Sequence, residues 1–175
     1  MSMITKALLL VALMGLAACK NPDRYGADGS VGGTGGTGGT GVDTTGLGDP
    51  NNPASPAYFN QTIGDRVFFV VDQSTLTDAG RATLAQQAVW LTTNSDYAVI
   101  IEGHADEQGT REYNLALGAR RANSVQEFLI SQGVSAGRLR TVSYGKERPV
   151  EICSDESCYS RNRRAVTVIS TGAGV

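Results

Sequence analysis

Asp106 and Arg121 are the two charged side chains whose positions could bring them to one binding cleft. Asp106 follows the end of a predicted strand, and Arg121 lies about two turns into a predicted helix. Together they would offer an acceptor and a donor, which suits a ligand centre that carries both an ammonium and a carboxylate. Arginine fits the second role because it grips a carboxylate with two parallel hydrogen bonds. The alternative is a structural role, in which the two residues form an ion pair or cap a loop.

The elements that would position these residues follow from the apolar pattern of residues 58–175. Short runs of β-branched and aromatic residues predict strands, and apolar residues at helical spacing predict helices, with Thr77 as an N-cap and Gly133 as a stop. The predicted strands cover residues 67–71, 98–102, 139–144 and 164–169, the helices cover residues 78–92 and 114–132, and a loop covers residues 145–162. The order strand, helix, strand, helix, strand, strand predicts an α/β or α+β fold with a single mixed sheet and two main helices.

Residues 1–18 have the layout of an export signal, in which Lys6 precedes an apolar run too short to cross a bilayer. The segment Leu16-Ala17-Ala18-Cys19 resembles the lipobox of bacterial lipoproteins. This resemblance implies cleavage before Cys19 and an N-acyl and S-diacylglycerol lipid on that residue, a stable anchor. Lys20, where an aspartate would mark inner-membrane retention, favours delivery to the outer membrane. An ordinary signal peptide is the alternative.

Residues 19–57 are dominated by Gly, Thr, Asp, Asn and Pro and contain almost nothing to bury. This composition predicts a flexible tether behind the lipidated cysteine, with a span of roughly 35 Å as a random coil. The Gly-Gly-Thr repeats from Gly32 to Thr40 could instead cradle a phosphate, but no predicted strand precedes them. The formal net charge of −2 argues against nucleic acid as a partner.

The region around Asp106 and Arg121 carries a longer pattern, continued near the C terminus. It comprises Gly103-His104-Ala105-Asp106, Gly109, Asn114, Leu117 and Arg121, followed by Tyr144-Gly145-Lys146-Glu147-Arg148-Pro149 and Asn162-Arg163-Arg164-Ala165-Val166. Over about residues 63–170 the sequence resembles the OmpA-like peptidoglycan-binding domains. The resemblance implies that residues 58–175 form such a domain in the periplasm, and that the protein binds peptidoglycan without being an enzyme.

The resemblance also assigns roles to individual residues. Asp106 and Arg121 would contact diaminopimelate, the stem-peptide residue whose free end carries an ammonium and often a carboxylate. Asn114 would hold the ligand or its loop through the amide, Leu117 would line the cleft, and Gly109 would let the loop turn sharply.

The partners implied by the resemblance are peptidoglycan, the propeller protein TolB and other components of the Tol-Pal system. Through them the protein would support outer-membrane integrity and cell division. An OmpA-like lipoprotein that acts mainly through protein partners is the alternative.

One position departs from the family pattern. Relatives often carry an acidic residue just after the aromatic pair of the first strand, where this chain has Val70. A ligand contact made there by a carboxylate would therefore be absent. Asp72 could compensate in part, but its side chain need not point the same way, so both residues are left out of the predicted site.

Cys153 and Cys158 lie close together in the predicted loop. An exported chain meets an oxidising compartment, so we expect these two residues to form a disulfide. Two free thiols or a metal site are the alternatives, although a structural zinc would need four Cys or His ligands. We expect no metal and no cofactor other than the lipid on Cys19.

His104 is the only histidine, so catalysis by a Cys–His or Ser–His pair would have to use it. No motif marks a nucleophile, and we expect His104 to pack at the strand end. Glu102, Asp106 and Glu107 leave glycan hydrolysis as an alternative, although closeness in sequence says little about the separation of two carboxylates.

Overall fold

The computed structural model describes residues 47–152 and 154–171. Its strands are β1 (Arg66–Phe68), β2 (Tyr97–His104), β3 (Leu139–Gly145) and β4 (Arg164–Thr171), and its α-helices are α1 (Pro56–Tyr58), α2 (Asp78–Thr93), α3 (Arg111–Ser131) and α4 (Glu156–Asn162). A π-helical turn, Phe59–Gly64, follows α1, and a 3-10 turn, Ala136–Arg138, precedes β3. Among the described residues, no helix is both long and apolar enough to cross a membrane.

The four strands form one sheet in the order β1-β4-β2-β3. β4 pairs antiparallel with both β1 and β2, whereas β2 pairs parallel with β3. The parallel pair needs a crossover connection, and α3 provides it. The single mixed sheet with two main helices is confirmed.

The core lies between one face of the sheet and the two long helices. Alternate residues of a strand point to opposite faces, so Val99 and Ile101 of β2 are fully buried while Ile100 between them is only partly covered. The same buried cluster contains Leu84 of α2 and Val125 of α3. The helices are therefore held to the sheet by apolar burial, which contributes roughly 25 cal/mol per Å² of area removed from water.

Both long helices begin at a threonine cap. The hydroxyl of Thr77 accepts a hydrogen bond from the backbone N–H of Gly80, and that of Thr110 accepts one from Tyr113. Such caps satisfy backbone donors that have no partner inside the helix. The Thr110 cap starts α3 at Arg111, three residues before the predicted start at residue 114.

β2 and α3 lie in close contact at two glycines. A Cβ atom on Gly103 would lie 1.9 Å from the carbonyl oxygen of Gly118, and one on Gly118 would lie 2.4 Å from Oγ of Ser143. Distances this short are far inside van der Waals contact, so neither position has room for a side chain.

Three predictions of local structure are corrected. The first strand ends at Phe68, not at residue 71, because the chain turns away and Asp72 adopts a left-handed φ of 58°. The predicted loop over residues 145–162 contains α4, capped by the carboxylate of Asp155. The tether prediction extends too far, since the carbonyl of Pro53 accepts a hydrogen bond from the Trp90 indole (2.6 Å).

Candidate ligand-binding site

An open pocket of about 240 Å³ lies where β2 ends. Its walls come from the segment after β1, the loop between β2 and α3, and the first turns of α3. The lining residues are Val71, Asp72, Asp106, Gln108, Gly109, Tyr113, Asn114 and Leu117. Three of the predicted site residues, Asp106, Asn114 and Leu117, therefore come together in one pocket.

Asp106 is paired with an arginine other than the predicted one. Its Oδ2 atom accepts a hydrogen bond from Nη1 of Arg163 (3.1 Å), and its Oδ1 atom accepts one from the backbone N–H of Gln108 (3.3 Å). Asp106 is only 7% exposed and Arg163 only 4%. A buried carboxylate needs such a partner, because the desolvation of a lone charge is costly. Arg163 is thus a residue of the site that the sequence interpretation did not include.

Arg121 lies behind the pocket and is completely buried. Its guanidinium donates to three backbone carbonyls, those of Gln73 (2.8 Å), His104 (2.8 Å) and Val70 (3.2 Å). Burial lowers the pKa of Arg121 to about 10, against the opposing effect of Asp106, so the group is still charged at neutral pH. Arg121 ties the segment after β1 to the end of β2, and its contact with ligand stays a prediction.

The loop between β2 and α3 is held at consecutive carbonyls. The amide of Asn114 donates to the carbonyl of Gln108 (2.7 Å), and the ammonium of Lys146 donates to that of Gly109 (2.7 Å). Gly109 has a φ of +88°, a conformation that glycine adopts at little cost. The structure therefore supports the expected loop-holding role of Asn114 and the expected sharp turn at Gly109, and it adds Lys146 as a second support.

Asp72 lines the same pocket, although the sequence interpretation left it out. The hydroxyl of Tyr113 on α3 donates a hydrogen bond to Oδ1 of Asp72, and this bond raises the pKa of Tyr113. The acidic group missing at Val70 is thus available two residues later. With Asp106, it makes the pocket a two-carboxylate site, which favours a cationic group in the ligand.

His104 is packed at the end of β2, as expected, and is 1% exposed. Within the described ranges neither ring nitrogen has a hydrogen-bond partner, and the Oε2 atom of Glu102 lies 3.5 Å from Nε2. The ring lies 5.5 Å from that of Tyr144. Burial, then the positive charges of Arg164 and Arg148, lower the pKa of His104 to about 4.

The low pKa of His104 makes stability depend on pH. Between pH 6.5 and about 4 the unfolded chain binds a proton at His104 that the folded chain does not. The contribution of neutral His104 to stability is therefore fully present above pH 6.5 and is lost as the pH falls towards 4. His104→Phe has no imidazole to titrate at this position. Between pH 7 and 4.5 we therefore expect its free energy of unfolding to fall by about 2 kcal/mol less than that of wild type. Urea unfolding followed by the fluorescence of Trp90 measures the difference. Equal losses in both proteins would contradict the assignment.

Two of the carboxylates considered for glycan hydrolysis are held by other side chains of the domain. Oε1 of Glu107 accepts from the amide of Asn162 (2.8 Å), and Asp106 is engaged by Arg163. Across the part of the chain that the structure describes, no three His, Cys, Asp or Glu side chains gather to hold a metal ion.

The cysteine that is predicted to carry lipid and one half of the expected disulfide lie outside the described residues, at Cys19 and Cys153. Cys158 is buried on α4. The lipidation and the pairing of Cys153 with Cys158 both stay predictions.

Comparison with known proteins adds to this geometry. The OmpA family model matches residues 68–163. A peptidoglycan-associated lipoprotein of Mesorhizobium japonicum is 48% identical over 169 residues, which is 95% of this chain and 92% of that protein. The protein of the same name from Agrobacterium fabrum is 54% identical over 132 residues, or 74% of each chain.

Solved structures agree with the family match. The crystal structure of the peptidoglycan-associated lipoprotein from Burkholderia pseudomallei is 39% identical, with a TM-score of 0.62, and the match covers 70% of this chain and all of that one (100%). The C-terminal domain of Helicobacter pylori MotB has a TM-score of 0.58 over 62% of this chain and 86% of its own, and at 22% identity it shows the fold alone.

The mixed sheet, the crossover helix and the pocket at the end of β2 define an OmpA-like domain. The chain belongs to the OmpA family, among the peptidoglycan-associated lipoproteins. This membership gives it a cell-envelope location. The relatives carry the name of a lipoprotein and not of an enzyme, so they lend no support to the hydrolase alternative.

Proposed function

We propose that the protein is an outer-membrane lipoprotein that binds peptidoglycan non-covalently through the diaminopimelate of its stem peptides. The observation that carries this proposal is the pocket at the end of β2, in which Asp72 and Asp106 present two carboxylates. An ammonium group is the ligand feature that such a pocket selects. Diaminopimelate offers a free ammonium at the end of its side chain, within reach of a pocket open to solvent.

The carboxylate of the same diaminopimelate centre needs a positive charge nearby. Arg121 is completely buried and donates to three backbone carbonyls, so in this arrangement its charge, and not a direct hydrogen bond, would attract that carboxylate. Leu117, 4% exposed, gives the pocket an apolar floor against the methylene chain of the ligand. These features support recognition of a zwitterionic centre on an aliphatic chain.

The anchor and tether complete the proposed function. A lipid on Cys19 would hold the protein in the outer membrane, and residues following it would span the gap to the wall. One charge-assisted hydrogen bond contributes roughly 1.5–3 kcal/mol, so a single site binds modestly. Attachment to the membrane and the many repeated sites of the wall raise the effective concentration and compensate for this. A disulfide between Cys153 and Cys158 would hold the segment before α4.

Co-sedimentation of the detergent-solubilised full chain with purified diaminopimelate-type sacculi tests this proposal. Asp106→Asn keeps the shape of the side chain but removes the charge, so we expect at least about tenfold weaker binding. Asp96→Asn, in the exposed turn before β2, is the matched control and should bind like wild type. Free diaminopimelate should release the wild-type protein. Wild type left in the supernatant would overturn the proposal, and soluble fragments released from the sacculi would favour a hydrolase.

A second candidate is a protein partner, TolB, bound as part of the Tol-Pal system that supports outer-membrane integrity and cell division. The favouring observation is a row of exposed apolar residues beside the pocket: Phe68, Val70 and Val71 are 46%, 49% and 47% exposed. Exposed apolar groups in one place are typical of protein contact sites. If the two ligands share this surface, TolB should compete with sacculi, and simultaneous binding would separate the sites.

A further inference from the structure

Arg163, the partner of Asp106, is also engaged by a second carboxylate. Its Nη1 atom lies 3.1 Å from Oδ2 of Asp106 and 3.3 Å from Oε2 of Glu156, and its Nη2 atom donates to Oε1 of Glu156. Its Nε atom donates to the carbonyl of Phe69 (3.3 Å). The guanidinium of Arg163 therefore donates to both carboxylate oxygens of Glu156, but it contacts Asp106 through one nitrogen.

The helix α4 produces this arrangement. Glu156 is the first residue of α4 and Arg163 is its C-cap, so the two are separated by about two helical turns and lie on one face. Arg163 is buried, whereas the Glu156 side chain is 66% exposed. The exposed carboxylate of Glu156 thus contacts the buried guanidinium of Arg163, which in turn contacts Asp106 in the pocket.

Because Arg163 is shared between Glu156 and Asp106, one carboxylate oxygen of Asp106 is left for the ligand. Two carboxylates and one guanidinium carry a net negative charge, and the Oδ1 atom of Asp106 has one backbone N–H, at 3.3 Å. Without Glu156, both terminal nitrogens of Arg163 could turn to Asp106 in the two-bond geometry that arginine favours with a carboxylate. Asp106 would then be neutralised and both its oxygens occupied.

We propose that Glu156 is a positioning residue for the ligand site: it holds Arg163 so that Asp106 keeps one oxygen and its negative charge for the ligand's ammonium. This inference rests on the proposed recognition of diaminopimelate. It gives α4, which contributes no side chain to the pocket lining, a role in ligand specificity.

The test compares Glu156→Gln with wild type in NMR titrations of the full chain in detergent micelles. The two probes are meso-diaminopimelate and pimelate, which has the same carbon chain and carboxylates but no ammonium. Because the change acts on the acceptor of the ammonium, we expect the dissociation constant for diaminopimelate to rise roughly threefold to fivefold, while that for pimelate stays the same. The matched control is Glu151→Gln, which removes a carboxylate from an exposed arginine pair on the same segment (Arg161, 2.6 Å) and should change neither constant.

Each other result has a distinct meaning. Equal weakening for both probes would show that Glu156 merely supports the fold and would overturn the inference. Unchanged affinity of Glu156→Gln, with wild type binding diaminopimelate, would overturn the inference and leave the proposed function standing. Wild type that fails to bind diaminopimelate would overturn the proposed function and the inference together.

Discussion

Gly103→Ala is expected to lower the free energy of unfolding by at least about 3 kcal/mol, and to leave little folded protein at 37 °C. The added Cβ atom would lie 1.9 Å from the carbonyl oxygen and 2.6 Å from the carbonyl carbon of Gly118. Both atoms belong to the backbone of α3, so no side-chain rotation can relieve the overlap. β2 and α3 would have to separate, and this would also move the two walls of the pocket apart.

The measurement is urea unfolding of the full chain, with Gly48→Ala as the control. A Cβ atom on Gly48 has no heavy atom within 4 Å, so that variant should unfold at the same urea concentration as wild type. An unchanged midpoint for Gly103→Ala would show that β2 and α3 are not in the contact described.

Arg121→Met is expected to cost about 3–5 kcal/mol of stability and to abolish wall binding. Methionine fills much of the same volume but donates no hydrogen bond, so the carbonyls of Val70, Gln73 and His104 lose their donor. The segment that carries Asp72 would then be released from the end of β2. Loss of binding would follow from loss of this wall, in addition to any direct contact that Arg121 makes with ligand.

Arg121→Lys separates the two contributions. Lysine can still donate to some of these carbonyls but lacks the planar fork that reaches three separate acceptors. Urea unfolding should place it between wild type and Arg121→Met, and co-sedimentation with sacculi should be measured on the folded fraction only. If Arg121→Met proved as stable as wild type, the structural role described for Arg121 would be wrong.

The order of the elements could be predicted because it rests on local patterns. The apolar run that contains Val99 and Ile101 is buried as β2, and the helical spacing that contains Val125 and Leu129 is buried in α3. The short helix α4 was missed because its seven residues carry only a weak apolar pattern, although Asp155 followed by Glu156 is a capping signal that could have indicated it.

The site was predicted only in part, because some of its contacts join residues that are far apart in the sequence. Asp106, Asn114 and Leu117 lie on one continuous strand–loop–helix unit, so their spacing places them together. Arg163 comes to Asp106 from the far end of the chain through the pairing of β2 with β4, and no local spacing signals that contact. Asp72 was left out since its orientation depends on a left-handed turn that follows β1.

The contacts of Pro53 and Ala54 determine where a mechanical load would enter the domain. The indole of Trp90 and the hydroxyl of Tyr97 donate to the carbonyls of these two residues (2.6 and 3.0 Å). A pull on the chain before them would load these bonds and the completely buried Phe59 before it reached the three-residue edge strand β1. The pocket wall that carries Asp72 begins directly after β1, with Arg121 as its brace. Under tension, the ligand would therefore stay bound for as long as Arg121 holds this segment in place.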